Sequence, residues 1–195
     1  MVVADNNCCI ENLIAVNEWS MPNGRTTGSL TTVNGTLVEV DPLRSFTWYD
    51  RQWQVGSASN WTWFQLHLDD GAGNYNEKYS IWFYPSGHGV AKGFATMQDV
   101  AGVQKVIPAQ LTDGTRTWTS GITNDTYHLD WTLELGDGTK LNISSVRDDQ
   151  ELTDDGGSFV TYEGFVNVSG LRIHGSLIGG YGLVEIQPIT VSRKG

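Results

Sequence analysis

The sequence predicts an all-β protein built as an antiparallel barrel with little helix. Three observations carry this. Segments rich in aromatic residues and Thr alternate with a period of two, the repeat of a strand. Asn-Gly and Asp-Gly dipeptides separate several of them, and Gly there accepts the positive φ that tight hairpins demand. No heptad or long amphipathic helical pattern interrupts the series. The 195 residues are 39% hydrophobic and 17% charged, with 8 Trp, 23 Gly and 5 Pro, enough for one domain with a core of short strands and tight turns.

Taken in order, residues 1–20 are expected to be irregular, with a turn near Ile10–Val16, and residues 21–195 to form a single barrel domain. Strands are expected at Gly28–Thr32, Thr36–Val40, Phe46–Trp53, Trp61–Leu68, Lys78–Tyr84, Lys92–Met97 and Val103–Ile107. More follow at Arg116–Thr119, Tyr127–Leu135, Lys140–Val146, Phe159–Val168, Leu171–Ile178 and Tyr181–Thr190. Asn34-Gly35 and Asp137-Gly138 are strong hairpin signals; Asp70-Gly71, Asp113-Gly114 and Ser169-Gly170 support the same meander. Asp148–Gly157, acidic and Gly-rich, reads as an exposed loop. So many antiparallel strands must cover or close their edges, and closure into a barrel does this most economically.

A net charge of −10 argues against nucleic acid, whose phosphates need Lys and Arg, and against docking on an anionic membrane. No apolar run approaches a spanning helix, and the N-terminus lacks the basic and apolar regions of a signal peptide. Asn-x-Ser/Thr triplets at Asn34, Asn60, Asn124, Asn142 and Asn167 leave secretion open, so cytoplasmic and secreted locations both stand. Cys8 and Cys9 are adjacent and define no disulfide framework. The four His are scattered without a zinc spacing, and no metal site is expected.

Chemistry is most legible between Phe46 and Asp69. In the first strand Phe46, Trp48, Asp50 and Gln52 share a face. In the second, Trp61, Trp63, Gln65, His67 and Asp69 share one face, while Phe64, Leu66 and Leu68 share the other. Asp50 and Gln52 are open to two roles. They could pair with Arg51, Arg44 or backbone donors and merely satisfy a wet core. Alternatively, Trp48, Asp50, Gln52, Trp63, Gln65 and His67 could line a ligand cavity, since such cavities are aromatic with a few convergent polar groups. Along Tyr127–Leu135, by contrast, Tyr127, Leu129, Trp131, Leu133 and Leu135 form a plain apolar face. His128, His88 and His174 are expected to be solvated. Asp50 could also pair with Glu163 or Glu185 as the two carboxylates of a glycoside hydrolase.

The run Thr47-Trp48-Tyr49-Asp50-Arg51-Gln52-Trp53, followed by Trp61-Thr62-Trp63-Phe64-Gln65-Leu66-His67-Leu68-Asp69-Asp70-Gly71, resembles the signature of the AttH-like, hydroxyneurosporene synthase (carotenoid 1,2-hydratase) superfamily. Tyr162-Glu163-Gly164 and Gly180-Tyr181-Gly182-Leu183-Val184-Glu185 resemble its closing strands. The Trp-Tyr-Asp-Arg-Gln-Trp form is most similar to the fungal branch, which holds kievitone hydratase-like proteins and (hetero-)Diels–Alderases. The resemblance covers about Glu18 to Ile186. It implies a lipocalin-like (calycin) barrel matching only the C-terminal one of the family's two domains. A homodimer would then replace the missing domain, and a second protomer or a rebuilt edge would cover the apolar Phe64–Leu68 face.

The implied function is a natural-product tailoring enzyme that needs no cofactor and acts on a hydrophobic polyketide- or terpenoid-type molecule. The first expectation is a (hetero-)Diels–Alder cyclase, and the alternative a hydratase or dehydratase. Asp50, Gln52 and His67 would be catalytic: the barrel would hold a reactive conformer, Gln52, Gln65 or His67 would polarise a carbonyl, and Asp50 or His67 would serve as general acid. Trp48, Trp61, Trp63, Gln65, Trp82, Tyr84, Phe94 and Tyr162 would bind substrate. Two non-catalytic readings stand beside this, a binder of a hydrophobic metabolite and a sugar-binding sandwich. Exposure of the Trp residues separates them, because sugars stack on an exposed planar row.

Overall fold

A computed structural model describes residues 16–54, 60–69, 74–84, 90–154 and 159–188. Among them no helix occurs, and the strands are β1 (Val16–Arg25), β2 (Ser29–Thr31), β3 (Leu37–Glu39), β4 (Phe46–Gln54), β5 (Trp61–Leu68), β6 (Glu77–Tyr84), β7 (Val90–Gln98), β8 (Gln104–Asp113), β9 (Thr117–Thr119), β10 (Thr126–His128), β11 (Asp130–Leu135), β12 (Lys140–Ser145), β13 (Glu151–Thr153), β14 (Val160–Leu171) and β15 (Leu177–Gln187). The chain divides into two compact units, residues 1–58 and 59–195.

The second unit is the barrel. Its strands run in the order β12-β11-β8-β7-β6-β5-β15-β14, and β12 pairs again with β14, so eight antiparallel strands close on themselves. Strand β13 adds to the other part of β14, opposite Val160–Tyr162. Alternation sends one residue in two inward. Phe64, Leu66, Leu68, Tyr79, Ile81, Phe83, Leu111, Trp131, Leu133, Leu141, Ile143, Val166 and Val184 meet there in one packed core. Phe64 contacts Phe83 and Trp131 edge-on at centroid distances of 6.2 and 5.4 Å. The apolar face of β5 therefore lies in the barrel interior and needs no second protomer to cover it. The lumen itself is filled by side chains.

The first unit is smaller. In it β1 pairs with β4, Ser20 facing Asp50, and β2 pairs with β3 around the Asn34-Gly35 turn, where Gly35 has φ +79°. This changes two expectations. β1 begins at Val16, inside the segment expected to be irregular. The strand Phe46–Trp53 forms, but it pairs with β1 and is no stave of the barrel. Cys8, Cys9 and His88 lie outside the described residues.

Other differences are local. Tyr127–Leu135 is two strands, broken at Leu129, because β10 pairs with β9 while β11 pairs with β8 and β12. Leu171–Ile178 is no strand: β14 runs to Leu171, and the turn falls at Arg172–Ser176, where Arg172 and Ser176 exchange a backbone bond and Gly175 has φ +80°. Gly170 is instead a strand residue pressed against β12, where a Cβ would stand 2.1 Å from the Lys140 carbonyl oxygen. Part of the expected loop Asp148–Gly157 is β13. It is held by Glu151, which accepts hydrogen bonds from Ser120 Oγ (2.5 Å), Thr123 Oγ1 (2.6 Å) and the Tyr127 hydroxyl (2.7 Å).

Candidate functional site

The residues expected to carry chemistry fall in two places. In the barrel unit, the outward side of β14, β15, β5, β6 and β7 is laid out in rows by strand register. Glu163 faces Glu185, Glu185 faces Trp63, Trp63 faces Trp82, and Trp82 faces Phe94. One row over, Leu183, Gln65, Ser80 and Thr96 follow, and the next holds Tyr181, His67, Lys78 and Gln98. Strands here carry polar and aromatic groups outward because the apolar set already occupies the lumen side.

Indoles dominate the first row. Trp82 lies 6.1 Å from Trp61 and 5.8 Å from Trp63, and stacks with Tyr84 at 6.4 Å and 15°. The exposures of Trp61, Trp63 and Trp82 are only 8, 5 and 8%. That is no exposed platform of the kind sugars stack on. Tyr84, Phe94, Gln65, Glu163 and Glu185 at its margins are half-buried. The Trp63 indole N–H donates to Ser80 Oγ at 2.9 Å. The Trp61 indole N–H is buried and meets no acceptor among the described residues, which is costly unless something else accepts it.

Two rows away, His67 is 1% and Lys78 2% exposed. His67 stacks on Tyr181 at 5.4 Å, and its Nε2 lies 3.1 Å from the Gln65 amide nitrogen. With that nitrogen donating, Nε2 is the acceptor and the ring proton sits on Nδ1. Lys78 Nζ donates to the Tyr75 carbonyl at 2.5 Å. Burial, and then the Lys78 charge, push His67 down to about 3. It is a neutral imidazole across the physiological range. It can polarise a bound oxygen, but it is not the protonated general acid that the sequence suggested.

Glu163 is displaced the other way. Burial, and then the facing Glu185 carboxylate, push its carboxyl up from 4.5 to about 8. Near neutrality it is largely a carboxylic acid. From the sequence, Glu163 and Glu185 stood only as alternative partners for Asp50; the structure pairs them with each other. The signal for this is the register of two long strands, which no local pattern displays.

Tyr162 is not in these rows. It points into the lumen, fully buried, with its hydroxyl within hydrogen-bond reach of Ser145 Oγ (2.8 Å) and donating to the Arg147 carbonyl (3.1 Å). Its role is to satisfy the barrel interior, which removes it from the expected substrate wall. His128 is half-buried beside the Gly114 carbonyl, and His174 is exposed in the β14–β15 turn.

In the first unit, Trp48, Asp50 and Gln52 share a face of β4, with Glu18 and Ser20 opposite on β1. The Trp48 indole N–H donates to Asp50 Oδ1 at 2.5 Å. Burial raises the Asp50 carboxyl above the usual range, against the lowering effect of hydrogen bonds from Ser20 and Trp48. Gln52 is exposed. Among the described residues no cluster of His, Cys, Asp and Glu could hold a metal.

A filled lipocalin-like barrel with its indoles, amides and acids on the outward side defines the class of this protein. The profile of the AttH-like family matches residues 11–187, and the chain belongs to that family. It is 37% identical to kievitone hydratase of Fusarium solani subsp. phaseoli over 87% of this chain and 48% of that protein. It is 34% identical to dehydratase asqC of Emericella nidulans over 87% and 49%. The crystal structure of kievitone hydratase from Nectria haematococca superposes with a TM-score of 0.75 at 38% identity, covering 90% of this chain and 53% of that one. An AttH protein of Nitrosomonas europaea shares the fold, with a TM-score of 0.67 at 23% identity over 88% and 52%. The chain thus spans about half the length of the relatives it matches.

Proposed function

We propose that this chain works in a hydratase or dehydratase that adds water to, or removes it from, a hydrophobic small molecule with a flat ring system. The carrying observation is the Trp61–Trp63–Trp82 row with acid, amide and imidazole groups along its margins, the composition of a site that binds an apolar ring and orients it by a few polar contacts. Similarity to a hydratase and a dehydratase supports the same reaction class. The reaction balances with substrate and water alone.

The (hetero-)Diels–Alder reading uses the same wall and, where the diene arises by loss of water, the same first step. No relative here carries such a name, so hydration and dehydration are the better supported chemistry.

The test is to incubate the protein with kievitone and a panel of aryl alkenes in oxygen-18 water, and with the matching alcohols in ordinary water. Gain or loss of one water is expected. Tryptophan quenching without any change of mass would leave a metabolite binder instead. Loss of the alcohol's water followed by cyclisation at constant mass would restore the cyclase reading.

A further inference from the structure

We propose that Glu163 and Glu185 are the proton-transfer pair of this reaction, one holding the proton and the other accepting it, beside a substrate whose oxygen is anchored by the Trp61 indole N–H. This deepens the hydratase reading and rests on it. The two glutamates come from different strands and face each other directly in the β14–β15 ladder, and Glu185 faces Trp63 on the next strand. Directly opposed side chains on one face have Cβ atoms about 5 Å apart. Glu163 is partly desolvated and the Glu185 charge bears on it, so ionising both is costly and a proton stays with the pair.

The second observation is independent of charge. The Trp61 N–H is a buried donor without an acceptor among the described residues, its ring is 6.1 Å from Trp82, and Trp82 is 5.8 Å from the Trp63 beside Glu185. A donor in that position fits a ligand oxygen. The substrate class is therefore an alkene, or the corresponding alcohol, attached to an oxygen-bearing ring.

In the hydration direction the Glu163 carboxyl gives its proton to one alkene carbon and the C=C π pair forms the new C–H bond. Water oxygen then bonds the other carbon, and Glu185 takes the proton that water loses. Passing a proton from Glu185 to Glu163 restores the pair. Dehydration is the reverse: Glu185 protonates the leaving hydroxyl and Glu163 takes the C–H proton. No oxidant or further reactant enters.

On its far side Glu163 meets the residue before β13, donating its backbone N–H to the Gln150 carbonyl at 3.0 Å, and the β13 carboxylate, Glu151, is engaged with Ser120, Thr123 and Tyr127.

The experiment combines carbon-13 NMR of glutamate carboxyls with turnover in the assay above, on wild type, Glu163→Gln and Glu185→Gln. Wild type should show a carboxyl titrating near pH 8, absent in Glu163→Gln and moved to lower pH in Glu185→Gln. Turnover should fall by about 100-fold or more in Glu163→Gln while binding, read by tryptophan fluorescence, is unchanged. In Glu185→Gln the alkaline limb of the rate should shift to lower pH, which a merely structural residue would not cause. The proposal is overturned if both carboxyls titrate in the ordinary range, or if Glu163→Gln keeps wild-type turnover. If wild type turns over no probe although the carboxyl titrates near 8, the hydratase reading fails. The pair's catalytic role then fails with it, and the titration, read without substrate, tells the two failures apart.

Discussion

Glu163 and His67 are perturbed in opposite senses, and that gives the barrel a two-sided dependence on pH. Folded Glu163 keeps a proton that the unfolded chain has lost between pH 4.5 and about 8, so its stabilisation is full below 4.5 and is lost as pH rises toward 8. For His67 the unfolded chain binds the extra proton between about 3 and 6.5, so its contribution is full above 6.5 and is lost as pH falls toward 3. Between 4.5 and 6.5 the two slopes oppose each other. Thermal melts across pH should show Tm falling from 6.5 to 8, a limb flattened by Glu163→Gln, and a low-pH limb flattened by His67→Gln. A second residue-scale test concerns Glu151: Glu151→Ala strands three hydroxyl donors and should cost about 2–4 kcal/mol in urea unfolding. The indole row was legible in the sequence because Trp61 and Trp63 alternate on one strand. The Glu163–Glu185 pair was not, since its members sit on the consecutive strands β14 and β15, whose turn the sequence placed elsewhere, and they meet only through register. Tyr162 misled for a related reason: its neighbours in sequence resemble the family's closing strands, but the alternation of β14 sends it inward.

At the scale of elements, strands with a clean period of two were read correctly to within a residue or two, as β5 and β6 show. One error came where a glycine served close approach and not a turn. Gly170 beside Ser169 suggested a hairpin, yet it lies flat against β12, and the chain reverses later, at Gly175. Gly182 makes the same point inside β15. A Cβ there would stand 1.8 Å from the Gln65 carbonyl oxygen, so β15 can approach β5 only without one. Gly182→Ala should cost about 1–3 kcal/mol or more, measured by the denaturant midpoint, as overpacking does. It should also disturb the neighbouring Trp63 row, visible as a changed tryptophan emission. Gly175→Ala meets no neighbour and strains only its own backbone, so it should cost less.

At the scale of the molecule, the barrel interior is a packed apolar core, and the proposed site lies on its outer side. Leu133→Ala, deep in the lumen, should lower stability by about 2–5 kcal/mol. It should leave ligand affinity, read by fluorescence titration, unchanged at temperatures where the fold persists. A lumen-binding lipocalin would show the reverse. Closure was legible from the number of antiparallel strands, but which face of them would turn to the lumen was not. A filled lumen depends on how side chains from eight strands fit together, and no single strand reports that. The seam between β5 and β15 has a further consequence. Residue 61 is made early and must wait for residue 187 before the two pair, so this is among the most non-local joins in the fold and slow to form. During synthesis β5 presents an open edge of Trp, Phe and Leu, the kind that pairs with the wrong neighbour. Because Glu185 reaches Trp63 only across that seam, the proposed site comes into being when the barrel shuts. Catalytic competence should therefore appear in step with the slowest phase of refolding, with no active intermediate before it.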